Sequence, residues 1–191
     1  HQEGRDAGLV DRVVIKFGDD SVQQLITVDL VAEDISNVMT KLLERPRPGA
    51  YLEQSTRYIF FDQKSSKGQY RYYTPPSLGA YTGEYRRRMD RQFELYSRVV
   101  RGVMEHLFKV RAHERPDGMS DAGWSAVLRG QACDAARAML PTATTSTVGA
   151  VLSTQSVDSL VMYLRSLDLP EATSLAERIL KQARLGVGYF L

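Results

Sequence analysis

Arg45-Pro46-Arg47-Pro48-Gly49-Ala50-Tyr51-Leu52-Glu53-Gln54-Ser55-Thr56-Arg57-Tyr58 carries the densest chemistry in this 191-residue chain. From Glu53 to Arg57 it lines up a carboxylate, an amide, two hydroxyls and a guanidinium. The Arg57 guanidinium can fork two N–H groups onto a phosphate, and Ser55, Thr56 and the loop amides can donate to the remaining oxygens. Glu53 can orient an arginine or accept from a ribose or a base. The same composition also suits a plain turn closed by a surface salt bridge, and both readings stay open on the residues alone.

Upstream, Asp6 to Phe17 reads as a short amphipathic helix, although Val13-Val14-Ile15 could equally begin a strand. Gly18 stops it, and Asp19, Asp20 and Ser21 can cap a second helix that runs to about Glu44. Pro46 and Pro48 end that helix, and a loop carries the chain to Tyr58. Tyr58 to Phe61 and Gln69 to Tyr73 flank the turn-rich Lys64 to Gly68, which predicts a β-hairpin. A long helix follows over 83–110, with Tyr85, Met89, Phe93, Tyr96, Val100, Val103, Leu107 and Val110 in one stripe. Another spans 120–140 and is stopped by Pro141. Then come a strand over 145–152, a helix over 157–167, and a last helix opened by Pro170 and running to Arg184. We expect an α+β fold, helix-rich with a small, mainly antiparallel sheet, in one domain over residues 1–191. The chain opens on His1 rather than Met, so we expect a piece of a longer protein.

Composition narrows the function. The chain is 43% hydrophobic, enough for an ordinary core, and the net charge of +2 is too small to argue for nucleic-acid or membrane partners. Cys133 is the only cysteine and there are three histidines. A disulfide framework and a cysteine-rich zinc site are thereby excluded, and we expect no bound metal. Single-cysteine usage fits a reducing compartment, so a cytoplasmic location is expected. The longest uncharged stretch, Ala138 to Val157, is broken by Pro141 and Gly149 and does not read as a membrane span.

Several motifs together resemble one family. Glu53-x-Ser55-x-Arg57-Tyr58, with Arg45-x-Arg47 before it, resembles the signature of the flavin-dependent thymidylate synthases, the ThyX family. Gly18-Asp19-Asp20-Ser21-Val22 stands where that family has a glycine-led helix start. Ala136-Arg137-Ala138-Met139-Leu140-Pro141 matches its Ala-Arg-x-x-Leu-Pro helix end, and Ser159-Leu160 follows its Ser-Leu helix. Order and spacing agree over about 170 residues, and the chain is similar to the first half of ThyX-like proteins built of two such domains in tandem.

The resemblance implies transfer of a methylene group from methylenetetrahydrofolate to dUMP, reduced by an FAD hydride that NADPH supplies. It implies a homotetramer with sites at subunit interfaces. By that resemblance Glu53, Gln54, Ser55, Arg57 and Arg137 would hold a dUMP-like nucleotide, Arg137 from a neighbouring subunit. Ser21, Arg45 and Arg47 would reach the cofactor, with Ser21 at a helix start that favours anions.

The departures are as specific as the matches. Pro46 replaces the histidine between the two arginines, Leu52 the asparagine before Glu53, Leu42 a glutamine, and Asp19 a histidine. Ser156 falls where the family has an asparagine, Leu167 where it has a nucleotide-binding arginine, and Arg165 is an off-register substitute. A His-Ala-Gln-x-Glu block stands here as Glu171 to Leu175. A charge-assisted contact contributes about 1.5–3 kcal/mol, so three or four losses remove useful FAD affinity. The expectation is a divergent domain that keeps its nucleotide-phosphate loop while its own catalysis is weak or lost. The alternative is a non-enzymatic module whose long helix builds a dimer interface.

Other groups read more plainly. Arg86-Arg87-Arg88 with Arg91 could take a phosphate tail, but Glu84, Asp90 and Glu94 can pair with them on a solvated helix face. His106 and His113 read as structural or surface residues and Cys133 as a small buried one. Tyr70, Tyr72 and Tyr73 suit aromatic packing, or stacking on a base or flavin ring. Ser55 has no identifiable base beside it and is not read as a nucleophile.

Overall fold

The structure, a computed structural model, describes residue 8, residues 21–66 and residues 68–187. Asp19 and, apart from Gly8, the segment 6–17 lie outside the described residues. Two compact units emerge: residues 1–53 with 147–191, and residues 54–146. Each unit has a hydrophobic core of its own.

The first unit holds a three-stranded sheet in the order β1-β3-β2, where β1 is Thr27–Ser36, β2 is Gly49–Glu53 and β3 is Thr145–Ser153. β2 runs antiparallel to β3, with Gly49 opposite Leu152 and Glu53 opposite Val148. Helices α1 (Asn37–Leu43), α4 (Thr154–Ser166) and α5 (Pro170–Val187) complete the unit. Ile35, Met39, Leu43, Val148, Leu152, Val157, Leu160, Leu164 and Leu175 form its core. Serines start two of these helices: Ser36 Oγ accepts from Met39 N, and Ser153 Oγ accepts from Ser156 N at 3.1 Å.

Here the sequence reading is corrected. Residues 21–44 are not one helix but a 3₁₀ turn, Ser21–Leu25, then β1, then α1. In β1, Val28, Leu30 and Ala32 are half-buried while Thr27, Asp29, Val31 and Glu33 are exposed. That is period two, and the β-branched content suits it. The apolar spacing from Leu25 to Ile35 also satisfies a helical stripe, and only pairing with β3 decides between them. β2 was likewise hidden in what reads as a loop.

The second unit is dominated by α2 (Thr82–Arg111) and α3 (Asp121–Ala136), the latter capped by Ser120, whose Oγ accepts from Gly123 N at 3.1 Å. Phe93, Tyr96 and Val100 of α2 meet Ala132, Cys133 and Ala136 of α3 in its core. Phe61, Tyr70 and Tyr72 fill the same core, and the Tyr70 and Phe93 rings stack at 5.1 Å. The expected hairpin over 58–73 is a second correction. A turn does form, with Ser65 N donating to Gln69 O and Gly68 N to Ser65 O, both at 2.8 Å. Among the described residues no ladder flanks it. Residues 71–73 pair instead with the Thr-rich segment, through Tyr73 N to Ala143 O and Thr145 N to Arg71 O, because the aromatic rings are drawn onto α2. The expected aromatic packing of Tyr70 and Tyr72 is therefore what the fold uses.

Candidate functional site

Beyond Glu53 the chain leaves β2 and turns at once. Ser55 Oγ accepts from Arg57 N at 3.2 Å and Ser55 O accepts from Tyr58 N at 3.3 Å. A serine hydroxyl bonding two residues ahead shapes the backbone and leaves the next side chain projecting. Arg57 then sets Nε and Nη2 on Oδ2 of Asp134, at 3.0 and 2.7 Å. Asp134 lies in the last turns of α3, and Arg137 follows it by one helical turn with Nη1 3.4 Å from Oδ1. Arg57 and Arg137 thus meet on one carboxylate. Their side chains stay 54% and 47% exposed, so donors remain accessible beyond the pairing. The Asp134 hydrogen bond, with its charge behind it, raises the Arg57 pKa above the ordinary arginine value.

Gln54 points its amide oxygen at Arg71, which donates from Nη2 at 2.7 Å, while the Gln54 carbonyl accepts from Ser146 Oγ at 3.2 Å. Both contacts hold the start of the loop. Arg71 in turn lies over the Phe61 ring at 5.2 Å. The second unit therefore brings Gln54, Ser55, Arg57 and Arg137 onto one framework built by the loop and the end of α3.

Glu53, Arg45, Arg47 and Ser21 belong to the first unit. Glu53 is tied to Lys41 of α1 at 2.6 Å, and Lys41 also meets Glu44 at 3.2 Å. Partial burial pulls the Lys41 ammonium down, but the bonds to Glu53 and Glu44 outweigh it and leave its pKa raised. Arg45 and Arg47 line a cleft of about 400 Å³ with Pro46, Pro48, Ser156, Ser159 and Tyr163. Arg45 stacks on the Tyr163 ring at 3.8 Å, Tyr51 Oη donates to Pro46 O at 2.7 Å, and Ser156 Oγ donates to Pro48 O at 3.4 Å. Ser21, itself exposed, opens a 3₁₀ turn of five residues, not the long helix expected for it.

Other polar residues are accounted for locally. Arg165 pairs with Glu177, and Arg88 with Glu84, both in solvent-facing positions. His106 and His113 are exposed, and burial pushes the Cys133 thiol up. Among the described residues no group of three or more His, Cys, Asp or Glu could hold a metal ion. Nor is any helix among them long and apolar enough to cross a membrane. Asp134 and Lys41 are the site neighbours that sequence reading missed. The Asp134-x-x-Arg137 spacing is the one signal that could have found the first of them.

Known proteins share this arrangement of elements. The model for the thymidylate synthase complementing proteins matches residues 1–185. A UPF0159 protein of Chlamydia muridarum is 32% identical over 179 residues, covering 92% of this chain and 33% of that protein. A UPF0159 protein of Thermoplasma acidophilum, Ta1429, is 27% identical over 202 residues, covering 94% of this chain and 40% of that one. The chain thus spans a third or somewhat more of the length of the curated relatives it matches.

Among solved structures, ThyX of Helicobacter pylori in complex with FAD and dUMP superposes with a TM-score of 0.59 at 14% identity, over 93% of this chain and 77% of that one. The UMP/dUMP methylase PolB of Streptomyces cacaoi bound with 5-Br dUMP gives 0.55 at 16% identity, over 98% and 79%. At such identities these two establish the fold. With the match across residues 1–185, the chain belongs to the thymidylate synthase complementing protein family and carries its ThyX-like α+β fold.

Proposed function

We propose that this chain holds a dUMP-like deoxynucleotide through its 5′-phosphate, and that its own catalysis is weak or lost. Gln54, Ser55, Arg57 and Arg137 take the phosphate. The observation that carries the reading is the convergence of Arg57 and Arg137 on Asp134, with both side chains about half exposed. A phosphate monoester brings nearly two negative charges, and a pair of arginines with donors to spare is the side-chain chemistry that recognises it. The family membership and the nucleotides named in the neighbouring structures support the same ligand class.

The reaction in view is reductive methylation of dUMP to dTMP with methylenetetrahydrofolate and NADPH. FAD, when bound, supplies the hydride. The cleft of Arg45 and Arg47 has a donor set suited to such a cofactor's phosphates: two guanidiniums, two serine hydroxyls and an aromatic ring. Arg45 and Arg47 would hold that group, with Ser21 as a further hydroxyl. Pro46, Leu52, Leu42 and Asp19 stand where polar partners are expected, and this is the ground for weak catalysis. The domain works in a self-associated dimer or tetramer, or beside a second ThyX-like domain, in the cytoplasm.

The test is a thermal shift with dUMP together with a visible absorption spectrum of the purified protein. Colourless protein whose melting temperature rises with dUMP supports the reading. At a ligand concentration of 100 Kd the stabilisation is about 2.7 kcal/mol. Yellow protein that forms dTMP overturns the loss of catalysis.

A second reading, a non-enzymatic interaction module, is favoured by one observation. Val31, Leu52 and Val151 are exposed (71%, 80% and 43%) around a shallow apolar groove that Ala50 and Gly149 also line. Exposed apolar patches of this kind mark contact surfaces. No shift with any deoxynucleotide, combined with loss of self-association in Leu52→Lys, would leave that reading standing.

A further inference from the structure

We infer that Asp134 is a positioning residue that aligns the Arg57 and Arg137 guanidiniums as one receptor for a monophosphate; this rests on the nucleotide reading above. Arg57 arrives on the turn after β2, and Arg137 arrives in the 3₁₀ turn Arg137–Met139 that follows α3. Among the described residues, the ion pairs these two arginines make are both with Asp134. Two guanidiniums brought close repel, so without a charge between them each would swing apart into solvent. The carboxylate removes that repulsion and stands on a rigid base, because Asp134 lies within a helix and is only 29% exposed.

The two oxygens are used unequally. Oδ2 takes both Nε and Nη2 of Arg57, which fixes the plane of that guanidinium. Oδ1 is buried with no hydrogen-bond partner, and Arg137 Nη1 stops 3.4 Å from it. Arg137 is therefore held by charge and can close on an arriving anion, while Arg57 is already set. Two cations and one anion leave a net positive charge for the phosphate.

Here the sign of the effect separates positioning from simple electrostatics. A carboxylate beside a phosphate site repels the ligand, so neutralising it should tighten binding if charge alone mattered. Positioning predicts the reverse. The experiment compares the affinities of dUMP and deoxyuridine for the purified chain, wild type and variants, by titration calorimetry. The ratio of the two affinities reports the phosphate's contribution alone.

We expect Asp134→Asn to lower that ratio by about tenfold or more, the scale of one charge-assisted contact. We expect Asp134→Glu to restore most of it, and deoxyuridine affinity to stay unchanged throughout. If Asp134→Asn does not fold, Asp134→Ser serves as the neutral variant. An unchanged or raised ratio in a folded neutral variant overturns the proposal, as does the failure of both neutral variants to fold, which would make Asp134 a structural ion-pair member. A wild-type chain that binds dUMP no better than deoxyuridine overturns the nucleotide reading itself, a result visible before any variant is made.

Discussion

Glu171 grips Ser36 with both carboxylate oxygens: Oε1 accepts from Ser36 N at 2.8 Å and Oε2 from Ser36 Oγ at 2.7 Å, across 135 positions of sequence. Ser36 is buried, and its Oγ also caps α1 by accepting from Met39 N. Glu171 sits in the first turn of α5, where a negative charge is favoured by the helix dipole. One side chain therefore joins the end of β1 and the start of α1 to the start of α5. In the family pattern this stretch belongs to a His-Ala-Gln-x-Glu block; here Glu171 has a structural task.

Glu171→Ala should accordingly destabilise the chain by about 2–3 kcal/mol, because it removes two charge-assisted bonds and strands a buried N–H. Glu171→Gln should recover part of that. Urea denaturation midpoints check it; a loss below about 0.5 kcal/mol would show that water replaces the clamp at no cost.

Arg57→Ala and Arg137→Ala should separate binding from stability. Both ion pairs are half exposed, so each loss should leave the thermal melt almost unchanged. Affinity for dUMP should fall by about tenfold or more in each. A large drop in melting temperature would instead make the pair structural.

Alkaline pH should unfold the protein through its buried tyrosines. Burial, with the hydrogen bond to Asp90 adding to it, pushes Tyr72 up to about 12, and burial pushes Tyr96 up to about 12. Above the ordinary tyrosine pKa near 10, the unfolded chain releases protons that the folded chain still holds. Their contribution is therefore complete below about pH 10 and is lost as pH climbs toward 12. Melting temperatures measured across that window should fall, and Tyr72→Phe should flatten the slope.

Gly49 marks the entry to β2 by its lack of a side chain. A Cβ there would lie 2.6 Å from both Leu152 Cδ2 and Tyr51 Oη. Gly49→Ala should displace the Tyr51 hydroxyl from Pro46 O and cost about 1–3 kcal/mol, the range for overpacking a filled site. Calorimetric unfolding checks it, and an unchanged melt would show that the Tyr51 ring moves freely.

Where one local rule acted without competition, the sequence was enough. The stripe from Tyr85 to Leu107 predicts α2, and Pro170 opens α5; the helix expected to reach Leu140 ends at Ala136 and passes into the 3₁₀ turn Arg137–Met139 before Pro141. A proline acts on its own backbone, so these boundaries need no distant partner. The resemblance to the family was equally legible, because it lies in the order of short strings along the chain, and so was the run of polar groups from Glu53 to Arg57.

Tertiary structure alone decided the rest. Residues 27–36 satisfy two periodicities, and β3 selects the strand. Tyr70 and Tyr72 could have paired across a hairpin, but burying their rings against Phe93 is worth more than a short ladder. Asp134 becomes part of the candidate site only when the end of α3 is laid beside the turn carrying Arg57, 77 positions away. Charge and hydrogen-bonding capacity are properties of residues and can be read in order. Which charge faces which is set by packing between distant segments, and that is where the physics of this site resides.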